Sequence, residues 1–347
     1  MLYNAKNPHG GDIYGGGIEL DLSSNTNPFG TPESVKEAVA LCAGELSNYP
    51  DPYCRELVSA ISEYEKAPRE YVLCGAGAAE LIHSYCAAAK PKKAMELAPT
   101  FSEYSLAAQN CGCEVVRHRL LEEDGFEVTE TLISALERER PDVLFLCDPN
   151  NPTGKLTPPE IKERIFAFCF ENGIRILSDE CFMDLADGGE SFVPRLGFCP
   201  NVTVLKAFTK SLGMAGLRLG YCLTSDFELL ESMSRAAQQW NVSMAVQRAG
   251  AAALRDEGFL EKARELIREE RKKLYDALSG LSLKVWETDA NFMLFRAGED
   301  LGEKLKAKGI LIRDCSNFYG LGPGYYRTAV KLPHENERLI NAIREIM

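Results

Sequence analysis

Three charged residues of this chain occur in settings where their side chains could act together in chemistry. Lys210 follows an apolar run and lies among hydroxyl and glycine residues, and Arg218 comes eight positions later. A lysine amine can bond covalently to an aldehyde, whereas an arginine fork suits a phosphate. Asp179 ends another apolar run, 174–179, where a carboxylate could hold the proton on a ring nitrogen. Pyridoxal phosphate (PLP) requires such groups of a protein, so the sequence predicts a PLP site.

Two loops could supply the remaining contacts to this cofactor. Gly75, Ala76 and Gly77 precede a helical pattern, where free N–H groups at the helix start could bind an anion. A simple tight turn is the alternative, because short glycine motifs are weak signals. The segment 148–154 contains two prolines and a glycine after a strong strand pattern, which predicts a rigid turn. Either asparagine of that turn could donate to a phenolate oxygen, although a bare turn fits the pattern equally well.

Each charged residue also has an ordinary structural interpretation. Asp179 could form a structural salt bridge, and Lys210 taken alone resembles a solvated surface lysine. The position of Lys210 after an apolar run, beside Thr209, favours the chemical role. Arg313 and Arg327 lie fourteen positions apart on two predicted strands. They could form surface ion pairs, or they could bind a substrate that carries two anionic groups.

Short apolar runs alternate with helical patterns through the middle of the chain. The runs are apolar throughout, which is typical of strands buried on both faces of a mainly parallel sheet. Repeated strand–helix order predicts an α/β fold, in which ligands bind beyond the carboxyl ends of the strands. Gly75, Asn151, Asp179 and Lys210 all follow or end such a run, so we expect them to converge on one crevice. The predicted strands cover residues 72–74, 94–98, 113–118, 143–147, 174–177 and 202–205.

The pattern changes from about residue 225 onward. Helical periodicity with charge pairs four residues apart extends through 257–278 and predicts a long helix that leads to a smaller α+β domain. We therefore predict an N-terminal segment, 1–27, that joins the small domain and the active site. A large PLP-binding α/β domain, 28–235, and a C-terminal part, 236–347, would follow. The predicted strands of the small domain are 283–286, 292–295, 310–313 and 326–330, before a closing helix at 335–346.

Composition narrows the class of protein. The net charge of −12 over 347 residues makes nucleic acid and anionic membranes poor partners. The chain has twelve cysteines but no Cys-x-x-Cys pair, and Cys111-Gly-Cys113 is too tight for the usual zinc site. We therefore expect no metal site and mostly buried free thiols. The first residues show no apolar signal core, and no apolar stretch is long enough to span a bilayer, which predicts a cytoplasmic protein.

The order and spacing of three motifs resemble those of the fold-type I PLP enzymes, in the class I and II aminotransferase group. The motifs are Asn150-Asn-Pro-Thr-Gly154, Asp179-Glu180, and Thr209-Lys210 with Gly216-Leu-Arg-Leu-Gly220. The resemblance extends over nearly the whole chain. It implies a PLP-dependent transferase fold, with a mainly parallel sheet in the large domain and a smaller α+β domain. It also implies a homodimer with shared active sites that acts on a small phosphorylated amino acid.

The resemblance implies a role for each matching residue. Lys210 would hold the cofactor covalently, Asp179 would pair with its ring nitrogen and Asn151 with its ring oxygen. Tyr104 would stack on the ring, with Phe101 as the other candidate. The cofactor phosphate would contact the backbone of 75–78, Thr209 and Arg218, together with Tyr49 of the partner subunit. The substrate's phosphate and carboxylate would contact His9, Asn25, Arg313 and Arg327.

Two branches of the group are especially similar: the threonine-phosphate decarboxylases of cobalamin biosynthesis and the histidinol-phosphate aminotransferases. Phe182 stands where aminotransferases commonly place a tyrosine that bonds the ring oxygen, and in this it resembles the decarboxylases. Ala207 departs from relatives that carry a hydroxyl residue, which implies one missing hydrogen bond to the cofactor phosphate. The residues alone leave both reactions open. The resemblance favours decarboxylation of L-threonine O-3-phosphate to (R)-1-amino-2-propanol O-2-phosphate. Further segments that resemble the decarboxylases are 9–13, 20–30, 312–321 and 325–330.

Overall fold

A seven-stranded sheet forms the centre of the larger part of the molecule. The computed structural model describes residues 9–256 and 258–347. Its strands are β1 (Leu20–Asp21), β2 (Val72–Gly75), β3 (Lys93–Ala98), β4 (Glu114–Arg119), β5 (Val143–Cys147), β6 (Arg175–Asp179), β7 (Val202–Ala207), β8 (Gly220–Leu223), β9 (Lys284–Val285), β10 (Phe292–Arg296), β11 (Ile310–Leu311), β12 (Arg313–Asp314) and β13 (Tyr325–Ala329). The large sheet has the order β2-β8-β7-β6-β5-β3-β4. Only the two pairings that involve β8 are antiparallel, which confirms the predicted α/β class.

The alternation of side chains along β5 explains why the strands of this sheet read as continuous apolar runs. Leu144 and Leu146 belong to a hydrophobic cluster on one face of the sheet. Val143, Phe145 and Cys147 belong to a cluster on the other face. Because successive side chains of a strand point to opposite faces, a strand covered on both faces must be apolar at every position.

Helices cover both faces of the large sheet and the outer side of the small one. The α-helices are α1 (Glu33–Leu41), α2 (Arg55–Glu65), α3 (Ala78–Ala89), α4 (Glu103–Asn110), α5 (Thr131–Glu139), α6 (Pro159–Glu171), α7 (Phe208–Ser211), α8 (Phe227–Ala236), α9 (Met244–Leu254), α10 (Phe259–Gly280), α11 (Leu301–Ala307) and α12 (Pro333–Ile346). Short 3₁₀ helices occur at Cys42–Glu45, Arg69–Tyr71, Met183–Leu185 and Val193–Phe198. Helix α10 is the predicted long helix, and the first residue of the predicted range, Glu257, lies outside the described residues.

A four-stranded antiparallel sheet, in the order β12-β13-β10-β9, forms the smaller part. The single strand predicted at 310–313 is wrong, because the chain divides there into β11 and β12, which pair in different sheets. In the β12–β13 ladder, Arg313 lies directly opposite Arg327. The two predicted arginines therefore come from neighbouring strands of one small sheet.

The N-terminal segment connects the small sheet to the turn that carries Lys210. Strand β1 pairs in parallel with β11. Farther along, the Asn27 backbone N–H donates to the Lys210 carbonyl at 2.8 Å, and the Asn27 side chain donates to the Ser211 carbonyl at 2.8 Å. Residues 1–8 of the predicted segment 1–27 lie outside the described residues. The boundaries at 27/28 and 235/236 stay predictions.

Within residues 9–256 and 258–347, no helix combines the length and apolar character needed to cross a membrane. In the same ranges, no group of three His, Cys, Asp or Glu side chains is placed to hold a metal ion.

Candidate active site

One cavity of about 690 Å³ opens at the carboxyl edge of the large sheet and extends beneath the small sheet. Strands β2, β5, β6 and β7 run in the same direction, so their carboxyl ends meet at this edge, as the sequence predicted. The cavity brings together most of the residues singled out from the sequence. Those that line it are His9, Asn25, Asn151, Asp179, Thr209, Lys210, Arg218, Arg313 and Arg327.

Lys210 presents its amine to the cavity from α7, the short helix that follows β7. Burial, together with the positive charges of Arg327 and Arg218, lowers the pKa of the Lys210 amine to about 8. A larger fraction of this amine is therefore neutral near physiological pH than is usual for a lysine. The neutral amine is the form that attacks an aldehyde, so the site favours covalent capture.

A second lysine, Lys206, lies four positions earlier but has a different environment. Its amine is buried between the carboxylates of Glu65, at 2.9 Å, and Asp184, at 3.1 Å. Although burial opposes the charge, these carboxylates raise the pKa of Lys206 well above its usual value. Lys206 is therefore held as a structural cation, and Lys210 is the lysine available for chemistry.

Asp179 ends β6 as a buried carboxylate that faces the cavity. Its Oδ1 accepts from the Cys181 backbone N–H at 3.0 Å, and its Oδ2 accepts from the Tyr104 hydroxyl at 2.5 Å. Burial raises the pKa of Asp179, whereas hydrogen bonds from Cys181 and Tyr104 and the charge of Lys210 oppose that rise. A carboxylate held in this way is a strong acceptor for a protonated ring nitrogen.

The stacking role predicted for Tyr104 is wrong. Tyr104 is fully buried, its ring stacks on Phe145 at 5.4 Å, and its hydroxyl is bound to Asp179 behind the cavity wall. Phe101, the other candidate, lines the cavity and packs against Tyr104 edge to face. An aromatic residue three positions before Tyr104 therefore provides the exposed ring face, and Tyr104 supports Asp179 instead.

We expect Tyr104→Phe to impair the site without changing its shape. Loss of the hydroxyl removes a donor from the buried Asp179 carboxylate, which would raise its pKa further and destabilise the fold by about 1–3 kcal/mol. Because the ionised form of Asp179 is then less favourable, its pairing with a ring nitrogen should weaken. We expect kcat to fall by roughly 3- to 30-fold, equivalent to about 0.7–2 kcal/mol. Thermal unfolding and steady-state kinetics measure the two effects.

Tyr85→Phe is a matched control for this change. Tyr85 is also fully buried, but its hydroxyl has no hydrogen-bond partner among the described residues. Removal of that hydroxyl should leave kcat unchanged and the fold at least as stable. If Tyr85→Phe lowered kcat as much as Tyr104→Phe, the assignment of Tyr104 to Asp179 would be refuted.

Two glycines and an arginine shape the part of the site suited to a phosphate. A Cβ on Gly220 would come within 2.9 Å of the backbone of Gly77 and Ala78, so glycine allows β8 to approach the start of α3. A Cβ on Gly77 would lie 2.8 Å from the Arg218 guanidinium. Gly77 also has φ +95°, a region that favours glycine. Arg218 is therefore held beside the start of α3, where the guanidinium and the helix N–H groups could contact the same anion.

Two N–H groups of the loop predicted to bind an anion are already bonded within the protein. The Ala76 N–H donates to Glu80 at 3.0 Å, and the Gly77 N–H donates to the Gly75 carbonyl at 2.8 Å. The residues of the first α3 turn that line the cavity are Ala78 and Ala79. The glycine loop therefore positions the helix start, and the helix start faces the cavity.

Arg327 is a buried cation whose hydrogen bonds to the described residues all go to neutral oxygens. Its guanidinium donates to the Asn151 side-chain oxygen and to the Ser23 carbonyl at 2.8 Å, and its Nε has no partner among the described residues. Burial, with a smaller contribution from Arg313, lowers the pKa of Arg327 to about 10. A buried cation without a carboxylate partner is costly, so this wall of the cavity is suited to an anionic ligand.

Two of the residues that the N-terminal segment contributes to the same cavity are His9 and Asn25, the predicted substrate contacts. Both polar side-chain atoms of Asn25 are buried and lack a hydrogen-bond partner among the described residues. His9 Nε2 lies 3.0 Å from the Glu103 carboxylate. The unsatisfied Asn25 amide marks a position where a bound molecule would recover hydrogen bonds that the protein does not supply.

Tyr49 lies apart from the cavity of its own chain. Its ring is 77% exposed and stacks on Trp240 with 4.6 Å between ring centroids. Several other large apolar side chains in the same stretch are also exposed: Leu41, Leu46 and Tyr53. The geometry of one chain therefore leaves Tyr49 free to contact another molecule.

Sequence reasoning missed several residues that line the cavity, among them Glu96, Arg117, Cys147 and Cys181. Glu96 and the two cysteines lie within or beside apolar strand patterns, where nothing in the pattern distinguishes them from core residues. Phe182 also lines the cavity, with its ring centre 5.9 Å from the Lys210 amine. The place where a phenol could reach the ring oxygen is therefore apolar in this chain.

Comparisons with known proteins agree with this geometry. A family model described as aminotransferase class I and II matches residues 18–343. Threonine-phosphate decarboxylase of Salmonella typhimurium is 36% identical over 332 residues, covering 94% of this chain and 91% of that protein. Histidinol-phosphate aminotransferase of Desulfitobacterium hafniense is 36% identical over 336 residues, covering 94% and 91%. The structure of the Clostridium acetobutylicum histidinol-phosphate aminotransferase superposes with a TM-score of 0.88 at 29% identity, covering 94% of this chain and 98% of that one.

Proposed function

The chain belongs to the class I and II aminotransferase family of PLP-dependent enzymes, and from this premise we propose that it decarboxylates L-threonine O-3-phosphate to (R)-1-amino-2-propanol O-2-phosphate, a step of cobalamin biosynthesis. The observation that carries the proposal is the buried Arg327 cation opposite Arg313 in the β12–β13 ladder. Two adjacent guanidinium groups suit a substrate with both a carboxylate and a phosphate. The similarity to the Salmonella typhimurium decarboxylase supports the same substrate.

The residues of the cavity fit PLP. Ala78 at the start of α3, Thr209 and Arg218 all line the cavity, and together they suit the cofactor phosphate. Asp179 is a buried acceptor for the ring nitrogen. The Asn151 amide oxygen accepts from Arg327, which leaves the amide N–H groups to donate to the ring oxygen. Phe101 would cover one face of the ring.

Bound PLP withdraws electrons from whichever bond at the substrate Cα stands perpendicular to its ring. Lys210 would hold the cofactor aldehyde, yield that place to the substrate amine, and as a free amine move protons near Cα. Arg313 and Arg327 would hold the anionic groups and so decide which Cα bond is presented. In decarboxylation the bond from Cα to the carboxyl carbon breaks, CO₂ leaves, and Cα gains one proton.

A histidinol-phosphate aminotransferase is the second candidate. The Desulfitobacterium hafniense enzyme of that name matches this chain at the same identity as the decarboxylase. The two proposals share the cofactor residues and differ in the bond presented at Cα. Phe182 is an apolar residue beside Lys210, and this feature resembles the decarboxylases.

We also propose that two chains form a homodimer in which Tyr49 completes the phosphate site of the other subunit. The exposed aromatic and aliphatic side chains around Tyr49 form a surface suited to burial against a second copy. Sedimentation of the unchanged protein should give twice the mass of one chain. Tyr49→Ala should weaken the retention of the cofactor. A monomer with full cofactor affinity would refute this proposal.

The test of function uses purified protein, PLP and L-threonine O-3-phosphate, with CO₂ and the amine product followed by mass spectrometry. Equal amounts of CO₂ and 1-amino-2-propanol phosphate are expected. Amino transfer from histidinol phosphate to a keto acid, without CO₂ from threonine phosphate, would support the aminotransferase instead and leave the cofactor assignment intact.

We expect Arg327→Ala to weaken substrate binding far more than cofactor binding. Loss of a desolvated charged partner costs about 2–5 kcal/mol, so KM should rise at least about 30-fold while PLP retention changes little. Arg296→Ala is a control, because Arg296 is an exposed arginine of the adjacent strand β10. If Arg327→Ala lost as much affinity for PLP as for the substrate, the assignment of Arg327 to the substrate would be wrong.

A further inference from the structure

A buried ion pair lies at the edge of the large sheet, beside the cofactor region of the cavity. Glu96 on β3 pairs across the ladder with Arg117 on β4, and Arg117 Nε donates to Glu96 Oε1 at 2.8 Å. Glu96 is only 4% exposed, and its Oε2 has no hydrogen-bond partner among the described residues. Arg117 is therefore fixed by its carboxylate partner, because a buried carboxylate is costly without a neighbouring cation.

Arg117 also contacts the smaller part of the molecule. Its guanidinium lies over the ring of Tyr319, 4.6 Å from the ring centre. Tyr319 belongs to the segment 315–321, the first part of the loop 315–324 that connects β12 to β13. A cation over an aromatic face is attracted by the ring quadrupole. The contact therefore joins an edge strand of the seven-stranded sheet to a loop of the four-stranded sheet.

The two residues before Tyr319 hold the substrate-facing arginine. The Asn317 side-chain oxygen accepts from Arg313 Nη2 at 2.7 Å. The Phe318 ring lies beneath the Arg313 guanidinium, 5.2 Å from its central carbon. Three consecutive side chains of one loop thus connect Arg313 to Arg117. A shift of the loop away from Arg117 would carry both Asn317 and Phe318 with it.

We propose that Tyr319 is a positioning residue, which docks on the fixed Arg117 and thereby holds the segment 315–321 so that Arg313 points at the anionic substrate group. The identity of that anion rests on the proposed function, but the contacts that position Arg313 do not. Because Tyr319 is 58% exposed, its side chain can be changed without opening a cavity in the core. Its effect should therefore be on ligand binding and not on folding.

A second contact between the same two parts of the molecule provides a matched control. The Tyr325 hydroxyl donates to Glu122 Oε2 at 2.6 Å. This contact also connects the large sheet region to the small sheet, but it does not involve the loop that holds Arg313. Tyr325→Phe removes it and keeps the ring that stacks on Trp286. A general loosening of the two parts would therefore appear in Tyr325→Phe as well.

The experiment titrates inorganic phosphate, as the anion probe, into the PLP-loaded protein by calorimetry. The Arg313→Ala variant shows which part of the heat of phosphate binding depends on the Arg313 guanidinium. We expect Tyr319→Leu to weaken that binding about 3- to 10-fold, within the range of a cation–ring contact. Tyr319→Phe keeps the ring face and should bind within twofold of the unchanged protein, as should Tyr325→Phe. With L-threonine O-3-phosphate, Tyr319→Leu should raise KM by a similar factor and change kcat less than twofold.

Unchanged phosphate binding in Tyr319→Leu would overturn the proposal. An equal loss in Tyr319→Phe would also overturn it, because the hydroxyl and not the ring would then be responsible. The same holds if Tyr325→Phe weakens binding as much as Tyr319→Leu. Absence of turnover of threonine phosphate by the unchanged protein would refute the proposed function alone, since the phosphate titration does not depend on which reaction the enzyme catalyses.

Discussion

Lys210→Ala is expected to abolish covalent attachment of PLP and to lower turnover by at least about 10⁴-fold. The amine has two tasks in the proposed reaction, because it holds the cofactor aldehyde and later moves protons near Cα. Burial and the neighbouring arginines lower its pKa to about 8, so the unchanged protein has a reactive amine near neutral pH. Alanine removes both functions and leaves the phosphate contacts in place.

Borohydride reduction followed by peptide mass mapping measures the attachment directly. The unchanged protein should carry one reduced cofactor, on the peptide that contains Lys210. Lys206 lies four residues away but is paired with Glu65 and Asp184, so it should remain unmodified in both proteins. Lys210→Arg is the matched control for charge, because it keeps a cation in the cavity without a nucleophilic amine. It should fail to attach PLP, as Lys210→Ala does.

A reduced cofactor on any other residue of Lys210→Ala, at the stoichiometry of the unchanged protein, would refute the assignment of Lys210. Attachment lost in Lys210→Ala but kept in Lys210→Arg would also contradict it, since an arginine cannot act as the amine. Mass mapping gives these answers independently of which substrate the enzyme uses.

The positions of Asp179 and Lys210 at the cavity could be predicted from the sequence, because both residues interrupt or follow apolar strand patterns at their ends. Asp179 and Lys210 stand at or just after the ends of β6 and β7, and a parallel sheet places all such ends on one edge. The alternating burial along β5 explains why apolar runs identified the sheet. In these cases local sequence and global topology lead to the same position.

Contacts between distant segments could not be predicted in the same way. Nothing in the spacing of Phe101 and Tyr104 shows which ring faces the cavity, because that depends on Phe145 and Asp179 behind α4. Strand β8 was missed because Gly220–Leu223 is short and antiparallel to β7. In the sequence, Glu96 looks like an ordinary strand residue and Arg117 like a surface arginine. Only the register of β3 and β4 shows that the two residues lie opposite each other.

Asp179→Ala is expected to lower kcat by roughly 10³-fold, the size of effect found when one preorganised electrostatic partner is removed. The carboxylate would keep a proton on the ring nitrogen of bound PLP, and without it the cofactor would accept electrons poorly. Cofactor content should change little, because Lys210, Arg218 and the start of α3 still hold PLP. The Tyr104 hydroxyl and the Cys181 N–H lose their acceptor, so the variant should also be less stable by about 1–3 kcal/mol for each unsatisfied group.

Two further variants separate the charge of Asp179 from its packing. Asp179→Asn keeps the shape and an acceptor for Tyr104 but lacks the negative charge, so its kcat should be nearly as low as that of Asp179→Ala. Asp148→Asn changes another buried carboxylate at the same edge, one that pairs with Lys162 at 2.8 Å and does not line the cavity. It should lose stability yet retain kcat within about threefold per folded molecule, because this buried pair contributes to folding and does not face the cavity. Asp179→Asn differs from the unchanged protein mainly in lacking the negative charge that would pair with the ring nitrogen. A near-normal kcat in this variant would therefore show that the charge of Asp179 is not needed for turnover.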